Sequence, residues 1–235
     1  MIEKQVMAEW VTHFRTFGFL MCKQMFSVEE MKVLSDAFDA AMKCARGDAP
    51  EPELRKDDRG YSAVRQQVNN TIAPYIPFFD YAPEVFYPLL DDERIVSIFR
   101  NLMSDDFRIT VTEGLIHAGG SGWHHDNVAR EGYFTMRAAL YLDRLGPEDG
   151  CLSVIPGSHF TQFREALGTD ADQRSIRSIE KLGTPAETVP GRYDLVNEPG
   201  DALFMNHKLF HSALSPNPGR RTIHINATQN IPPES

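Results

Sequence analysis

The feature that most constrains the fold is a series of short β-rich runs that begins at Phe107. β-Branched and aromatic residues recur within these runs, and glycine, proline and aspartate separate them, as in strands joined by turns. The runs are FRITVTEGLIHA, YFTMRAALYLD, CLSVIPGSHF, GDALFMNHKLFH and RRTIHINAT. Residues 106–235 are therefore predicted to form a mostly β unit, interrupted by a polar insertion at 160–193 that includes a helical turn near 174–181.

Residues 1–105 are predicted to be mainly helix and loop, packed on the β unit. Between Ala8 and Arg46 we expect two helices around a short extended piece, FGFLMCKQMF. Ser27 and Glu30 have the spacing of a capping box at the start of the second helix. Apolar residues then recur at steps of three and four, as on the buried face of a helix: Met31, Leu34, Phe38 and Met42. A further helix is predicted over 91–103.

Composition restricts the partners and the compartment. A chain of 235 residues is expected to form a single domain, and its net charge of -9 gives no basic surface for nucleic acid. No apolar run predicts a signal peptide or a membrane span, so the expected location is the cytoplasm. The three cysteines are widely spaced and lack a CxxC pair, which favours reduced thiols. Any bound metal should therefore have nitrogen and oxygen ligands.

The stretch GSGWHHDNV contains a candidate metal-binding edge. In an extended segment His124 and Asp126 point to the same side and His125 to the other. A His-x-Asp pair alone is weak evidence, but the later segment PGDALFMNHKLFH offers a third ligand, either His211 or His207. Two imidazoles and one carboxylate form the facial triad of non-haem Fe(II) oxygenases, although zinc accepts the same ligands.

An arginine follows the second histidine segment. A guanidinium suits the distal carboxylate of 2-oxoglutarate, because it donates two charge-assisted hydrogen bonds. Arg220 and Arg221 are both candidates and point oppositely in an extended chain. We favour Arg220, because Thr222, His224 and Asn226 share its side and polar residues suit the wall of a ligand cavity. Arg221 remains the alternative.

The chain resembles the phytanoyl-CoA dioxygenase family of Fe(II)/2-oxoglutarate-dependent oxygenases over nearly its whole length. The resemblance is carried by FRTFGFLMCKQMFSVEEMKVLSDAFDAA, WHHD, ALYLDRLGPEDGCLSVIPGSH, PGDALF, LFHSALSPN and RRTIHI. It implies an α+β fold in which N-terminal helices pack on a double-stranded β-helix, the jelly-roll or cupin-like barrel. It also favours His211 over His207, and it implies that His159 is structural. Independently of the resemblance, Gly200 and Asp201 are predicted to form a tight structural turn before the strand carrying His211, because both residue types suit the backbone conformation of a turn.

The resemblance further implies the ligands, the cofactors and the reaction. His124, Asp126 and His211 would bind Fe(II), and Arg220 would anchor 2-oxoglutarate. The enzyme would use O₂ to hydroxylate an unactivated C–H bond of a small molecule, releasing succinate and CO₂. Related halogenases replace the carboxylate ligand, so Asp126 favours hydroxylation, although desaturation or cyclisation could begin with the same hydrogen abstraction.

Candidates for substrate binding are less well defined. Trp123 could wall the cavity or be a packing anchor, and Arg137 could point into the cavity or to solvent. Tyr61 and Arg65 lie in a polar stretch with other basic residues, which could receive an anionic substrate or form a solvated surface. Two other functions fit the same residues: a non-catalytic metal-binding sensing or interaction protein, and a zinc-dependent hydrolase that needs no keto acid.

Overall fold

The computed structural model describes residues 4–46, 78–117, 119–126, 133–166, 186–215 and 218–230. Tyr61, Arg65 and the helical turn predicted near 174–181 lie outside the described residues. Among the described helices, none is both long enough and apolar enough to span a membrane.

Helices form most of the described N-terminal part. Ser27 and Glu30 make the expected capping box, in which the Ser27 N–H donates to Glu30 Oε2 (2.7 Å) and the Glu30 N–H donates to Ser27 Oγ (3.2 Å). The predicted second helix and the helix near 91–103 are confirmed. The helices are α1 Lys4–Phe17, α2 Val28–Arg46, α3 Pro83–Phe86, α4 Glu93–Leu102 and α5 Thr161–Ala166, with 3₁₀ turns at Phe78–Asp80, Tyr87–Leu90 and Ala186–Thr188.

The β region forms two antiparallel sheets. The strands are β1 Phe19–Cys22, β2 Arg108–Ile116, β3 Ser121–His124, β4 Tyr133–Tyr141, β5 Leu152–Val154, β6 Tyr193–Leu195, β7 Ala202–Asn206, β8 His211–Ala213 and β9 Arg221–Asn230. The large sheet has the order β1-β7-β4-β9-β2, and the small sheet has the order β3-β8-β5-β6. The predicted jelly-roll class is confirmed, although strand pairing among the described residues does not close the two sheets into a continuous barrel.

Alternation along the central strands gives the large sheet two different faces. In β4, Met136, Ala138 and Leu140 pack into the same apolar core as the helices. Their neighbours Thr135, Arg137 and Ala139 line a cavity on the other face. The large sheet therefore separates a helix-covered core from a cavity that the small sheet closes on its far side.

The PGD turn differs from its predicted place. It leads into β7, whereas His211 begins β8 after a second turn, so the expectation that the turn precedes the strand of His211 is wrong. Gly200 adopts a positive φ of 99°, and a Cβ there would lie 2.4 Å from the Phe26 carbonyl oxygen. The Asp201 carboxylate is buried and accepts hydrogen bonds from the Gln24 N–H (2.9 Å), the Glu198 N–H (2.9 Å) and Lys23 Nζ (2.7 Å). The turn thus secures the loop after β1.

Candidate metal centre

Three side chains that are distant in sequence converge at one point between the sheets. His124 ends β3, His211 begins β8, and Asp126 lies two residues after β3. Asp126 Oδ1 is 3.9 Å from His124 Nε2 and 3.6 Å from His211 Nε2. One possible ligand atom from each residue lies within 4.8 Å of the others, an arrangement that could hold a metal ion.

Backbone carbonyls fix the proton on each histidine. His124 Nδ1 lies 2.7 Å from the Gly122 oxygen, and His211 Nδ1 lies 2.9 Å from the Leu209 oxygen. A carbonyl can only accept, so each Nδ1 carries the hydrogen and each Nε2 keeps a free lone pair. Metal-ligating histidines commonly have this second hydrogen bond, which orients the ring.

The electrostatics of the three residues also suit a cation. Burial and the neighbouring His211 lower the pKa of His124, which favours the neutral ring that a metal requires. Burial alone would raise the pKa of Asp126, but Arg137 and His211 outweigh it and hold that pKa well below its usual value. Two imidazole nitrogens and one carboxylate oxygen are the donors of a two-histidine, one-carboxylate triad, so the residues fit the implied ferrous ion.

Arg220 and Arg221 have opposite environments. Arg221 faces away from the cavity, where it pairs with Asp143 (2.6 Å) and Asp39 (2.9 Å). Arg220 lines the cavity and is 7% exposed, and its acceptors in the described part of the chain are the carbonyls of Gly150 (2.5 Å) and Gly119 (2.7 Å). Within the described ranges no carboxylate forms a salt bridge with Arg220, and its Nε–H has no hydrogen-bond partner. Burial lowers the pKa of this guanidinium, so an anionic partner would stabilise it.

The cavity beside these residues has a volume of about 690 Å³, which is suitable for a small molecule. Part of its wall is polar, with His207 Nε2 3.1 Å from Asn226 Oδ1 and His117 Nε2 3.2 Å from Thr222 Oγ1. Burial lowers the pKa of His117 to about 3 and that of His207 to about 4, so both rings are neutral near pH 7. The wall therefore offers hydrogen-bonding groups without adding histidine charge.

The other candidates from the sequence are distributed between this cavity and the surrounding core. His207 lines the cavity but is not in the three-residue metal cluster. Trp123 is 3% exposed and packs with Ile155, Val189 and Phe210, which corresponds to the packing-anchor alternative and not to a cavity wall. His159 Nε2 contacts the Arg15 carbonyl oxygen (3.1 Å) and holds α1, so its position is structural.

Arg137 points into the cavity and not to solvent. The alternation of residues along the strand could not predict which of these two directions its side chain takes. Its Nη2 lies 2.6 Å from Asp126 Oδ2. Glu113 and His117 also line the cavity, although neither was a candidate from the sequence. The alternation of Glu113, Leu115 and His117 along TEGLIH is a period-two signal that could have identified them.

Comparisons with known proteins agree with this fold. The family model described as phytanoyl-CoA dioxygenase (PhyH) matches residues 14–222. The crystal structure of AviO1 from Streptomyces viridochromogenes Tue57 has a TM-score of 0.64 and 22% identity, covering 97% of each chain. HygX from Streptomyces hygroscopicus, solved with nickel and 2-oxoglutarate bound, has a TM-score of 0.62 and 18% identity, covering 98% of this chain and 88% of HygX.

A third similar structure is SnoK, the non-heme alpha ketoglutarate dependent carbocyclase from nogalamycin biosynthesis. Its TM-score is 0.65 at 18% identity, with 97% of this chain and 84% of SnoK covered. No curated protein sequence matches the chain significantly. At these identities the solved structures establish the fold alone, and the family match is independent of them.

Proposed function

Because the chain belongs to the phytanoyl-CoA dioxygenase family, we propose that it is an Fe(II)- and 2-oxoglutarate-dependent dioxygenase acting on a small molecule. The single observation that carries this proposal is one cavity lined by both the His124, Asp126 and His211 cluster and a buried arginine that pairs with no carboxylate among the described residues. A zinc hydrolase would use the cluster but would have no need of a buried cation in the same cavity. 2-Oxoglutarate, a keto diacid, would use both the metal cluster and the buried arginine.

We assign His124 Nε2, Asp126 Oδ1 and His211 Nε2 as the iron ligands, and Arg220 as the anchor for the distal carboxylate of 2-oxoglutarate. HygX, with nickel and 2-oxoglutarate bound, supports this cofactor set for a chain of the same fold. When bound, iron with the keto acid supplies the oxidising chemistry. Arg220 would hold the co-substrate by its far end, and the walls of the cavity would restrict water near the reacting carbon.

The proposed reaction is hydroxylation of an unactivated C–H bond. One oxygen atom of O₂ enters the substrate as hydroxyl and the other enters succinate, while 2-oxoglutarate loses CO₂. The carboxylate of Asp126 supports hydroxylation over halogenation. Cyclisation is the alternative outcome, because SnoK, of similar fold, is an alpha ketoglutarate dependent carbocyclase.

The substrate is proposed to be a small molecule, as for HygX, which was also solved with hygromycin B bound. The described cavity wall contains two acidic residues, Glu113 and Asp126, and two arginines, Arg137 and Arg220. This balance leaves no excess positive charge for an anionic substrate beyond the co-substrate. An anionic substrate held by the Tyr61 and Arg65 stretch stays a prediction.

Anaerobic titration tests the proposed function. Adding 2-oxoglutarate to protein with Fe(II) should produce a weak visible charge-transfer band, and admitting O₂ should release succinate even without a substrate. Zinc should abolish succinate release. No band and no keto-acid consumption with iron, together with hydrolytic activity in zinc, would favour the hydrolase. Metal binding without either activity would favour the sensing or interaction protein.

A further inference from the structure

We propose that Arg137 is a positioning residue that holds Asp126 so that only one carboxylate oxygen is presented to the metal. The proposal rests on the metal ligands assigned under the proposed function. Arg137 Nη2 is 2.6 Å from Asp126 Oδ2. The other oxygen, Oδ1, faces the two histidines at 3.6 and 3.9 Å. The two oxygens of Asp126 thus have different partners.

Arg137 is well placed to impose this orientation. It lies on β4, which is paired on both sides, with Arg137 opposite Met205 of β7 and Asn226 of β9. Asp126 lies beyond the end of β3, at the edge of the small sheet, where strand pairing does not hold its side chain. The ion pair therefore anchors a ligand on a loop to the centre of the opposite sheet.

Burial makes this contact more effective than a surface salt bridge. The side chains of Arg137 and Asp126 are 16% and 19% exposed. Water and salt screen such a pair less than they screen exposed charges. The contact is an ion pair and not a well-directed hydrogen bond, since Asp126 Oδ2 has no hydrogen-bond partner of suitable geometry among the described residues. The short distance between opposite charges therefore keeps Oδ2 on the side of Arg137.

The surroundings of Arg137 argue against the alternative that it is an open anion-binding group. Its Nη1 lies 3.5 Å from His224 Nδ1, which in turn lies 3.6 Å from Glu113 Oε2. Arg137 thus lies between Asp126 and the pair of His224 with Glu113, so two carboxylates surround its charge. Arg220 differs, because no described carboxylate compensates its charge.

The consequence concerns the number of positions left at the metal. A free aspartate can bind an ion through one oxygen or two. With Oδ2 held by Arg137, Asp126 would contribute Oδ1 alone, and the remaining face would stay open for the keto acid and oxygen. Without Arg137, the carboxylate could rotate away or chelate through both oxygens.

Substitution of Arg137 separates positioning from simple electrostatics, because the two predict opposite signs. Removing a cation near a divalent ion should tighten metal binding by Coulomb's law. Losing the orientation of a ligand should weaken it, by about 10- to 100-fold for residues that support metal ligands. We expect Arg137→Gln to weaken binding of Co(II), measured anaerobically by calorimetry on the whole chain without 2-oxoglutarate, and to alter the visible spectrum of the bound ion.

Arg137→Lys is the conservative variant, and its ammonium should recover part of the affinity by contacting Oδ2. Arg144→Gln makes the same chemical change at an exposed arginine that pairs with Glu198, and should leave Co(II) affinity unchanged. Thermal unfolding without metal checks that each variant is folded. Should Arg137→Gln not fold, Arg137→Lys decides, with several-fold weaker binding expected.

Co(II) affinity in folded Arg137→Gln that equals or exceeds that of the parent chain would overturn the positioning role. If Arg137→Gln does not fold, Co(II) affinity in Arg137→Lys equal to that of the parent chain would also overturn the positioning role. If the parent chain itself does not bind Co(II), the metal ligands of the proposed function are wrong and the inference fails with them. That result is distinguishable, because the defect then appears before any substitution is made.

Discussion

His124 and His211 lie directly opposite each other on the paired strands β3 and β8, with ring centroids 4.4 Å apart. Each ring is oriented by a backbone carbonyl two residues earlier in the chain, Gly122 for His124 and Leu209 for His211. Strand pairing and these two hydrogen bonds therefore set the separation and direction of both Nε2 atoms before a metal binds.

Removing one of these rings should abolish metal binding and turnover. We expect His211→Ala to lose Fe(II)-dependent succinate release and stoichiometric Co(II) binding, because the two remaining ligands hold a dication weakly. His207→Ala is the matched control, since His207 lies in the same cavity but outside the cluster, and it should bind Co(II) normally. The reverse result, with His207→Ala losing the metal, would reassign the ligand.

Arg220 and Arg221 should differ in their effect on the co-substrate. Arg220→Ala removes a buried partner for a carboxylate, so we expect the 2-oxoglutarate concentration for half-maximal succinate release to rise about 30-fold or more. Arg221→Ala should leave that concentration unchanged. It should instead lower the free energy of unfolding by about 1–2 kcal/mol, because the contacts to Asp143 and Asp39 are lost. If the 2-oxoglutarate requirement rises in Arg221→Ala and not in Arg220→Ala, Arg221 and not Arg220 is the anchor of the co-substrate.

Acid should destabilise the metal-free protein partly through His117. Its pKa of about 3 in the folded chain is below the ordinary value of 6.5, because burial disfavours the charged ring. Between these values the unfolded chain binds more protons, so His117 contributes stability that is present above about pH 6.5 and is lost as pH falls toward 3. One such histidine adds a slope of up to about 1.4 kcal/mol per pH unit.

The substitution His117→Gln should reduce this slope in urea denaturation measured from pH 7 to pH 4. His13 is the matched position, because burial also lowers its pKa but its ring, in α1, is only partly buried. His13→Gln should change the slope less. Parallel pH profiles for the parent chain and His117→Gln would show that His117 does not carry the effect.

Asp201 should be a determinant of stability and not of cofactor binding. Asp201→Ala removes a buried carboxylate that accepts hydrogen bonds from the Gln24 and Glu198 N–H groups, which should lower the free energy of unfolding by about 2–4 kcal/mol. Asp149→Ala removes an exposed turn acceptor for the Gly146 N–H and should cost less than about 1 kcal/mol. Denaturant titration measures both, and 2-oxoglutarate affinity in Asp201→Ala should match that of the parent chain.

Short-range physics made several features predictable from the sequence. The capping box of Ser27 and Glu30 involves neighbours three residues apart, so the start of α2 follows from local hydrogen bonding. The alternation after Arg220 gave the polar side of β9, because successive strand residues must face opposite ways. The conjunction of motifs also identified the family, which the match over residues 14–222 confirms.

Only the tertiary structure decided which faces and which remote groups meet. Asp126 and His211 are 85 residues apart (211 − 126), and they approach only because β3 pairs with β8. Alternation along β4 shows which residues share a face with Arg137 but not whether that face points into the cavity. Helices cover one face of the large sheet and the other face lines the cavity, and this packing places Arg137 in the cavity. The physical reason is that local patterns state which residues share a face, whereas burial of that face depends on packing between distant segments.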